Sequence, residues 1–281
     1  MLRVIIVLAA ALAASGSAAA PTGDPVRGEA IYQACTDCHS LDQNDVGPRH
    51  RGVYGSPRMV QALRTEGFHC NHKRVERLMR QMNIRAKQTR KFKATTNSKH
   101  DLEVAPNHLK RQFKQCEKDR AWVSDITYVW TDEGWLYLVV FIDLWSRKVL
   151  GWSLSDRMQA AFVRDAFLMA CAKRGGKLQN LLVHSDRGSQ YASEQFKETL
   201  KNANCSQSMS RKANCWDNAV AESFFGSLKK ELIYQQKFAT RELARTAIFE
   251  YVEIFYNRIR LHSALNYCSP DQFEKKEKMV A

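Results

Sequence analysis

The ten residues Trp135-Leu-Tyr-Leu-Val-Val-Phe-Ile-Asp-Leu144 carry a single charge and are otherwise apolar or aromatic. A run of this length and composition is a strand covered on both faces, so the chain must supply packing layers on either side of a sheet. The flanking sequence supplies them. Ala121 to Trp130 reads as a strand, Asp132-Glu-Gly134 as a hairpin turn, and Arg147 to Leu154 as a third strand. A helix is expected at 159–174, with Phe162, Ala166, Met169 and Ala170 on one face. Leu181 to Asp186 is a short buried strand, followed by a helix at 193–203, a strand at 205–210 and a long helix from 218. Three antiparallel strands followed by alternating helices and strands define an α/β fold, a mixed sheet with flanking helices.

Two acids stand where burial alone disfavours them. Asp125 interrupts an apolar strand and Asp186 ends another. A lone aspartate of this kind is ordinarily a turn or edge residue. A third acid alters that reading: Glu222 follows Asp186 by 36 positions, and Asp186 follows Asp125 by 61. Three carboxylates brought together repel one another and favour a cation. Asp143 is read as structural, spaced for a local ion pair with Arg147, and Asp217 as the cap of the helix that carries Glu222. His184 reads as packed or as positioning a water, and Phe224, Phe225 and Leu228 as core.

The charge is concentrated upstream. The chain is 281 residues long with a net charge of +14, and residues 56–120 alone hold 17 basic and 6 acidic side chains. A field of this size suits a nucleic-acid backbone. Residues 56–85 read as two short helices around Gly67, with Asn71 capping the second. Val75, Leu78, Met79 and Met82 share one face, while Lys73, Arg74, Arg77 and Arg80 mostly occupy the others. This is a helix-turn-helix outline with a basic recognition face. His69, Cys70 and His72 match no common zinc spacing. Residues 86–118 are basic and aperiodic, a linker.

The first 55 residues point elsewhere. Arg3, the apolar run Val4 to Ala14 and the small residues up to Ala20 form an export-signal pattern. Cys35-Thr-Asp-Cys38-His39 is the haem-attachment spacing: two thiols one helical turn apart for the vinyl groups, and an imidazole for the iron. With Val46-Gly-Pro-Arg-His-Arg-Gly52 downstream, this segment resembles the opening third of a class I cytochrome c, which implies haem c on Cys35 and Cys38 with His39 as ligand. The distal methionine loop is missing, so no working electron carrier is expected. The other six of the eight cysteines are scattered thiols.

From residue 54 onward the chain resembles the integrase-like transposases of bacterial insertion sequences, of the Asp-Asp-Glu type. The motifs that carry the resemblance are Trp122-Val-Ser-Asp125-Ile-Thr-Tyr, Phe141-Ile-Asp-Leu-Trp-Ser-Arg147 and His184-Ser-Asp-Arg-Gly-Ser-Gln-Tyr191. Asn214-Cys-Trp-Asp-Asn-Ala, Glu222-Ser-Phe-Phe-Gly-Ser-Leu-Lys229 and Tyr256-Asn-Arg-Ile-Arg-Leu-His262 continue it. Ala213 departs from the glycine common at that place. The resemblance implies a ribonuclease H-like core and metal-dependent DNA strand cleavage and transfer during transposition. It implies Mg²⁺ or Mn²⁺ as two ions, with Asp125 and Asp186 on both and Glu222 on the second. Lys229, two helical turns after Glu222, would hold a DNA phosphate, or else be a solvated helix lysine. Arg258 and Arg260, with His262, would join Lys73, Arg74 and Arg77 as DNA contacts, or else form a solvated face.

The implied partners are element-end and target DNA, further copies of the chain, and the product of the element's first reading frame; no stable membrane span is expected. The expected segments are a signal at 1–20, a truncated cytochrome segment at 21–55, a helix-turn-helix at 56–85, a linker at 86–118 and a catalytic core at 119–281. The alternatives are an exported haem-protein fragment with an inert extension, or a DNA-binding protein without catalysis. Transposition places the chain in the cytoplasm and the signal places it outside, and the sequence leaves that conflict open.

Overall fold

The computed structural model describes residues 54–84, 102–176, 178–212 and 214–280. The chain divides into two compact units, residues 1–88 and 89–281. The export signal and the haem-attachment segment lie outside the described residues.

The first unit contains α1 (Ser56–Thr65) and α2 (His72–Gln81). Asn71 caps α2, its side chain accepting from the Arg74 amide at 2.8 Å. Gly67 has φ +87° and closes α1 with Phe68 N–H donating to the Leu63 carbonyl, a left-handed turn that an L side chain would strain. Met59, Val60, Leu63, Val75 and Met79 are buried, while Lys73, Arg77 and Arg80 are exposed. The helix pair, its cap and its turn follow the periodicity of the sequence.

The second unit is built on a five-stranded sheet of order β3-β2-β1-β4-β5. Its strands are β1 (Ala121–Thr131), β2 (Gly134–Asp143), β3 (Val149–Ser155), β4 (Leu182–Ser185) and β5 (Ser206–Met209). β1, β2 and β3 pair antiparallel, and β4 and β5 join in parallel. β2 is flanked on both sides, as its apolar run requires. One face packs against α3 (Ala160–Lys173) and α5 (Glu194–Asn202), with the short α4 (Ser189–Ala192) between them in sequence. Phe167 sits at the centre of that layer, within 6.1 Å of the Trp122, Phe141 and Phe196 ring centroids. Truncating such a ring costs about 3–5 kcal/mol. Gly151 permits the contact of β3 with α3, because a Cβ there would lie 2.0 Å from the Ala166 carbonyl oxygen.

The alternate strand positions Val123, Val129, Leu138, Val140 and Ile142 are equally buried, so the opposite face is covered as well. The chain continues there through α6 (Ala219–Glu231), α7 (Arg241–Phe249) and a π-helical segment (Glu250–Tyr256), with α8 (Pro270–Val280) following. These contribute buried Phe224, Leu228, Ile248, Tyr251 and Phe255. Among the described residues no helix is long and apolar enough to cross a membrane.

Two expectations need correction. Residues 104–113, within the stretch expected as a linker, are bonded to the core: the His108 and Leu109 amides both donate to Ser208 Oγ, and Leu109 is buried. Short polar bonds to β5 leave no helical or strand periodicity to read. The Asp143–Arg147 ion pair also does not form. Arg147 has φ +59° and donates instead to the Phe113 carbonyl. The partner of buried Asp143 is Arg174, at 3.3 Å, with Ser146 Oγ donating at 3.0 Å. Arg174 also holds Asp119 and, from α8, Glu274 at 2.6 Å.

Burial pushes the Asp143 carboxyl up to about 6, against the pull of Arg174. A raised folded-state value means the folded chain holds its proton longer, so this group's stabilisation is full below pH 4 and is lost as pH rises through 6. Asp143→Asn cannot ionise. Its stability relative to the parent should rise by up to about 3 kcal/mol between pH 4 and pH 6, measured by urea unfolding across that range. A constant difference would contradict the assignment.

Candidate active site

The parallel pairing of β1 with β4 sets Ala121 against Leu182, Trp122 against Val183 and Val123 against His184. Each partner lies 61 positions on, the separation of Asp125 and Asp186. Continued two rungs past the last pair, this register aligns Asp125 with Asp186, and the charge of Asp186 is felt at Asp125. Strand alternation turns Asp125 to the face opposite the Phe167 layer, where α6 runs. Asp125 Oδ1 accepts from the Ile126 amide at 2.8 Å, and Asp186 Oδ1 from the Gly188 amide at 3.0 Å.

The electrostatics follow from this placement. Burial, and then the charge of Asp186, push the Asp125 carboxyl well above the usual range, with Glu222 adding to the rise; the Ile126 amide and Lys229 pull it down. Glu222 lies in the first turn of α6 and stays exposed, its own carboxyl raised by partial burial. Among the described residues no three His, Cys, Asp or Glu side chains already form a metal cage. The two aspartates follow the last β1–β4 rungs, whereas Glu222 is exposed on α6.

Neighbouring groups hold this arrangement. Tyr191, fully buried, shares a 2.7 Å hydrogen bond with Ser124 Oγ, and burial together with Asp125 and Asp186 keeps its hydroxyl protonated. His184 lies between Ser208 Oγ at 2.8 Å and Ser210 Oγ at 3.2 Å, fully buried, so of its two expected readings it takes the packed one. Lys229 is 6% exposed, its ammonium 5.0 Å from the centre of the Tyr128 ring and its charge felt at Asp125. It is therefore not a solvated helix lysine, and burial lowers its pKa.

Asp217 does not cap α6 as expected: the N-cap position is Asn218, and the Asp217 carboxylate is turned to other partners. It is fully buried; Arg111 Nε donates to it at 2.8 Å, Asn107 Nδ2 at 2.9 Å, and Arg211 from its backbone amide at 3.0 Å and its guanidinium at 2.9 Å. Arg211 is the main cause that holds its carboxyl well below the ordinary range. The adjoining Asn218 donates to the Ser124 carbonyl at 3.0 Å, tying the start of α6 to the residue before Asp125. Sequence spacing missed this hub, because its arginines come from two loops about a hundred positions apart. The only hint was an acid among polar neighbours in the Asn214 motif.

Arg260 requires a correction. It is 3% exposed, and its guanidinium is bound by Glu231 at 2.7 and 2.8 Å and by Ser227 at 3.1 Å, so it does not face DNA. Its motif neighbours are structural as well: Tyr256 packs on Phe224, and Asn257 exchanges two 3.0 Å hydrogen bonds with the Val149 backbone. Arg258 is exposed, as are Lys73 and Arg77, and Arg74 is half-buried. Cys35, Cys38 and His39 lie outside the described residues.

The sequence matches the family models described as Integrase core domain at residues 116–215 and 222–277, and HTH-like domain at 47–92. It is 46% identical over 228 residues to the transposase InsF of insertion sequence IS3A from Escherichia coli K12, covering 81% of this chain and 79% of that protein. It is 45% identical over 226 residues to the transposase of element IS904 from Lactococcus lactis, covering 80% and 89%. Among solved structures, the simian T-cell lymphotropic virus intasome aligns with TM-score 0.48 and 16% identity, over 76% of this chain and 69% of that one. The HTLV-2 integrase catalytic core in complex with magnesium aligns with TM-score 0.44 and 18% identity, over 57% and 99%. The chain thus belongs to the insertion-sequence transposases with an integrase core, polynucleotidyl transferases of the Asp-Asp-Glu type on a ribonuclease H-like fold.

If Arg260 is structural, Arg260→Ala strands the buried Glu231 carboxylate and should lower unfolding stability by about 3–5 kcal/mol. Arg258→Ala should leave the urea midpoint nearly unchanged. Equal midpoints for the two variants would return Arg260 to the surface.

Proposed function

We propose that Asp125, Asp186 and Glu222 are the carboxylates through which this transposase cuts the ends of its element and joins the freed 3′-hydroxyl to a target phosphodiester. The observation that supports this reading is the β1–β4 register, whose continuation aligns the two aspartates, together with the charge of both other acids at Asp125. A donor set made only of carboxylate oxygens fits a hard divalent cation. Bound as a pair, Mg²⁺ or Mn²⁺ would activate the attacking oxygen and stabilise the leaving one. In this reading Asp125 and Asp186 hold both ions and Glu222 holds the second. Lys229 lies inside the site, so it would meet a phosphate only when DNA enters.

For the DNA, Lys73, Arg74 and Arg77 on α2 and Arg258 in the core are the proposed contacts. Each phosphate contact adds roughly 0.9 to the slope of log affinity on log salt. Copies of the chain assembling on two element ends, with the first-frame product, complete the proposed partners, and the cytoplasm is where such DNA is met. The direct test is strand transfer by the full chain on end-sequence duplex with Mg²⁺. Asp186→Asn, nearly isosteric, should bind the duplex yet lose roughly a thousandfold in transfer. Undiminished transfer would remove the assignment.

For residues 1–55 we propose an origin in a c-type cytochrome reading frame joined to the element, supported by Cys35-Thr-Asp-Cys38-His39 behind an export-signal pattern. Haem c would attach at Cys35 and Cys38. The peroxidase stain of the denatured chain, expressed with a haem-ligation system, should be positive and should vanish in Cys35→Ser/Cys38→Ser. A chain without stain would remove haem from this reading.

A further inference from the structure

Trp216 is 69% exposed, the most exposed large apolar side chain among the described residues. Its surroundings are fixed. The next two residues, Asp217 and Asn218, are 0% and 3% exposed. Asp217 is held by Asn107, Arg111 and Arg211, and Asn218 by the Ser124 carbonyl. The indole is displayed on a 3₁₀ turn (Cys215–Asn218) that these bonds anchor and that leads directly into α6. Glu222 lies six positions further on, and Ser124 precedes Asp125. The turn that carries the indole therefore leads into the helix that carries Glu222.

Positive charge is held at the adjoining Asp217. The Arg111 and Arg211 side chains remain 43% and 57% exposed although both touch Asp217, and Lys212 is exposed. Two guanidiniums and an ammonium against one carboxylate leave a net attraction for phosphate. An exposed aromatic face beside a cationic rim suits a nucleobase whose backbone runs along the rim. A terminal base that leaves the duplex stack at the DNA end gains a substitute π-surface on such a ring.

We propose that Trp216 is a stacking platform for an unpaired base at the DNA end, with Arg211 and Lys212 along the adjoining phosphates. The proposal rests on the strand-transfer reading, and its test separates the two. The full chain is mixed with end duplexes carrying 2-aminopurine at each of the last three positions of either strand, in the Asp186→Asn background so that no chemistry intervenes. With Trp216 intact, one position should change its fluorescence on binding, reporting a base out of the duplex stack. Trp216→Ala should abolish that change at saturating protein, and Trp216→Phe should restore most of it. In the catalytically intact chain, Trp216→Ala should lower strand transfer roughly ten- to a hundredfold with the unfolding midpoint unchanged.

A fluorescence change that persists in Trp216→Ala, or no change at any position with Trp216 intact, overturns the platform. So does a change in oligomeric state as the only effect of Trp216→Ala, which would make the indole a subunit contact. Loss of transfer in Asp186→Asn beside such a result would leave the catalytic reading standing.

Discussion

Asp125 in β1 and Asp186 just past the end of β4 repel each other, and the strand pairing two rungs earlier holds together the chains that carry them. The pairing of β1 with β4 is the constraint on which the rest of the core depends. It works only because both strands are locked from either side: β1 by the antiparallel pairing with β2, and β4 by β5. A one-residue slip would turn Asp125 into the Phe167 layer, where an acid has no partner. The cost of crowding is visible at Asp125, whose carboxyl is driven up by burial and by its neighbour's charge. Such a site is destabilising on its own and becomes favourable when a cation enters.

The third acid is placed by different means. Glu222 rides on α6, and the start of α6 is tied back twice, through Asn218 to the Ser124 carbonyl and through Asp217 to Arg211, Arg111 and Asn107. The polar stretch ahead of the core thereby becomes part of the core. At its far end α6 is held by Glu231, which binds buried Arg260 and accepts from the Tyr251 hydroxyl at 2.6 Å. A helix anchored at both ends can present an exposed first-turn glutamate at a fixed distance from the strands. Lys229, two turns on, supplies the internal positive charge that Asp125 meets.

Much of this was legible in the sequence where the signal is local. The succession of strands and helices, the hairpin at Asp132 and the capped helix at Asn71 follow from periodicity and turn chemistry, whereas the order of strands in the sheet does not. What escaped were partnerships between residues far apart. Arg260 reads as a surface cation until Glu231 is brought against it, and Asp143 reads as the neighbour of Arg147 until α3 delivers Arg174. Residues 104–113 carry no periodicity, because hydrogen bonds to β5 and Asp217 hold them. The motif from Tyr256 to His262 was recognisable as a pattern, yet its chemistry is that of a scaffold: a ring on Phe224, an amide on Val149, a guanidinium on Glu231.

The most direct measurement is anomalous scattering from crystals of the full chain grown with Mn²⁺. Manganese is predicted between the carboxylates of Asp125 and Asp186, with Glu222 turned toward it, and should disappear in Asp125→Asn. Manganese bound elsewhere, or retained at full occupancy in that variant, would contradict a site built on the β1–β4 register.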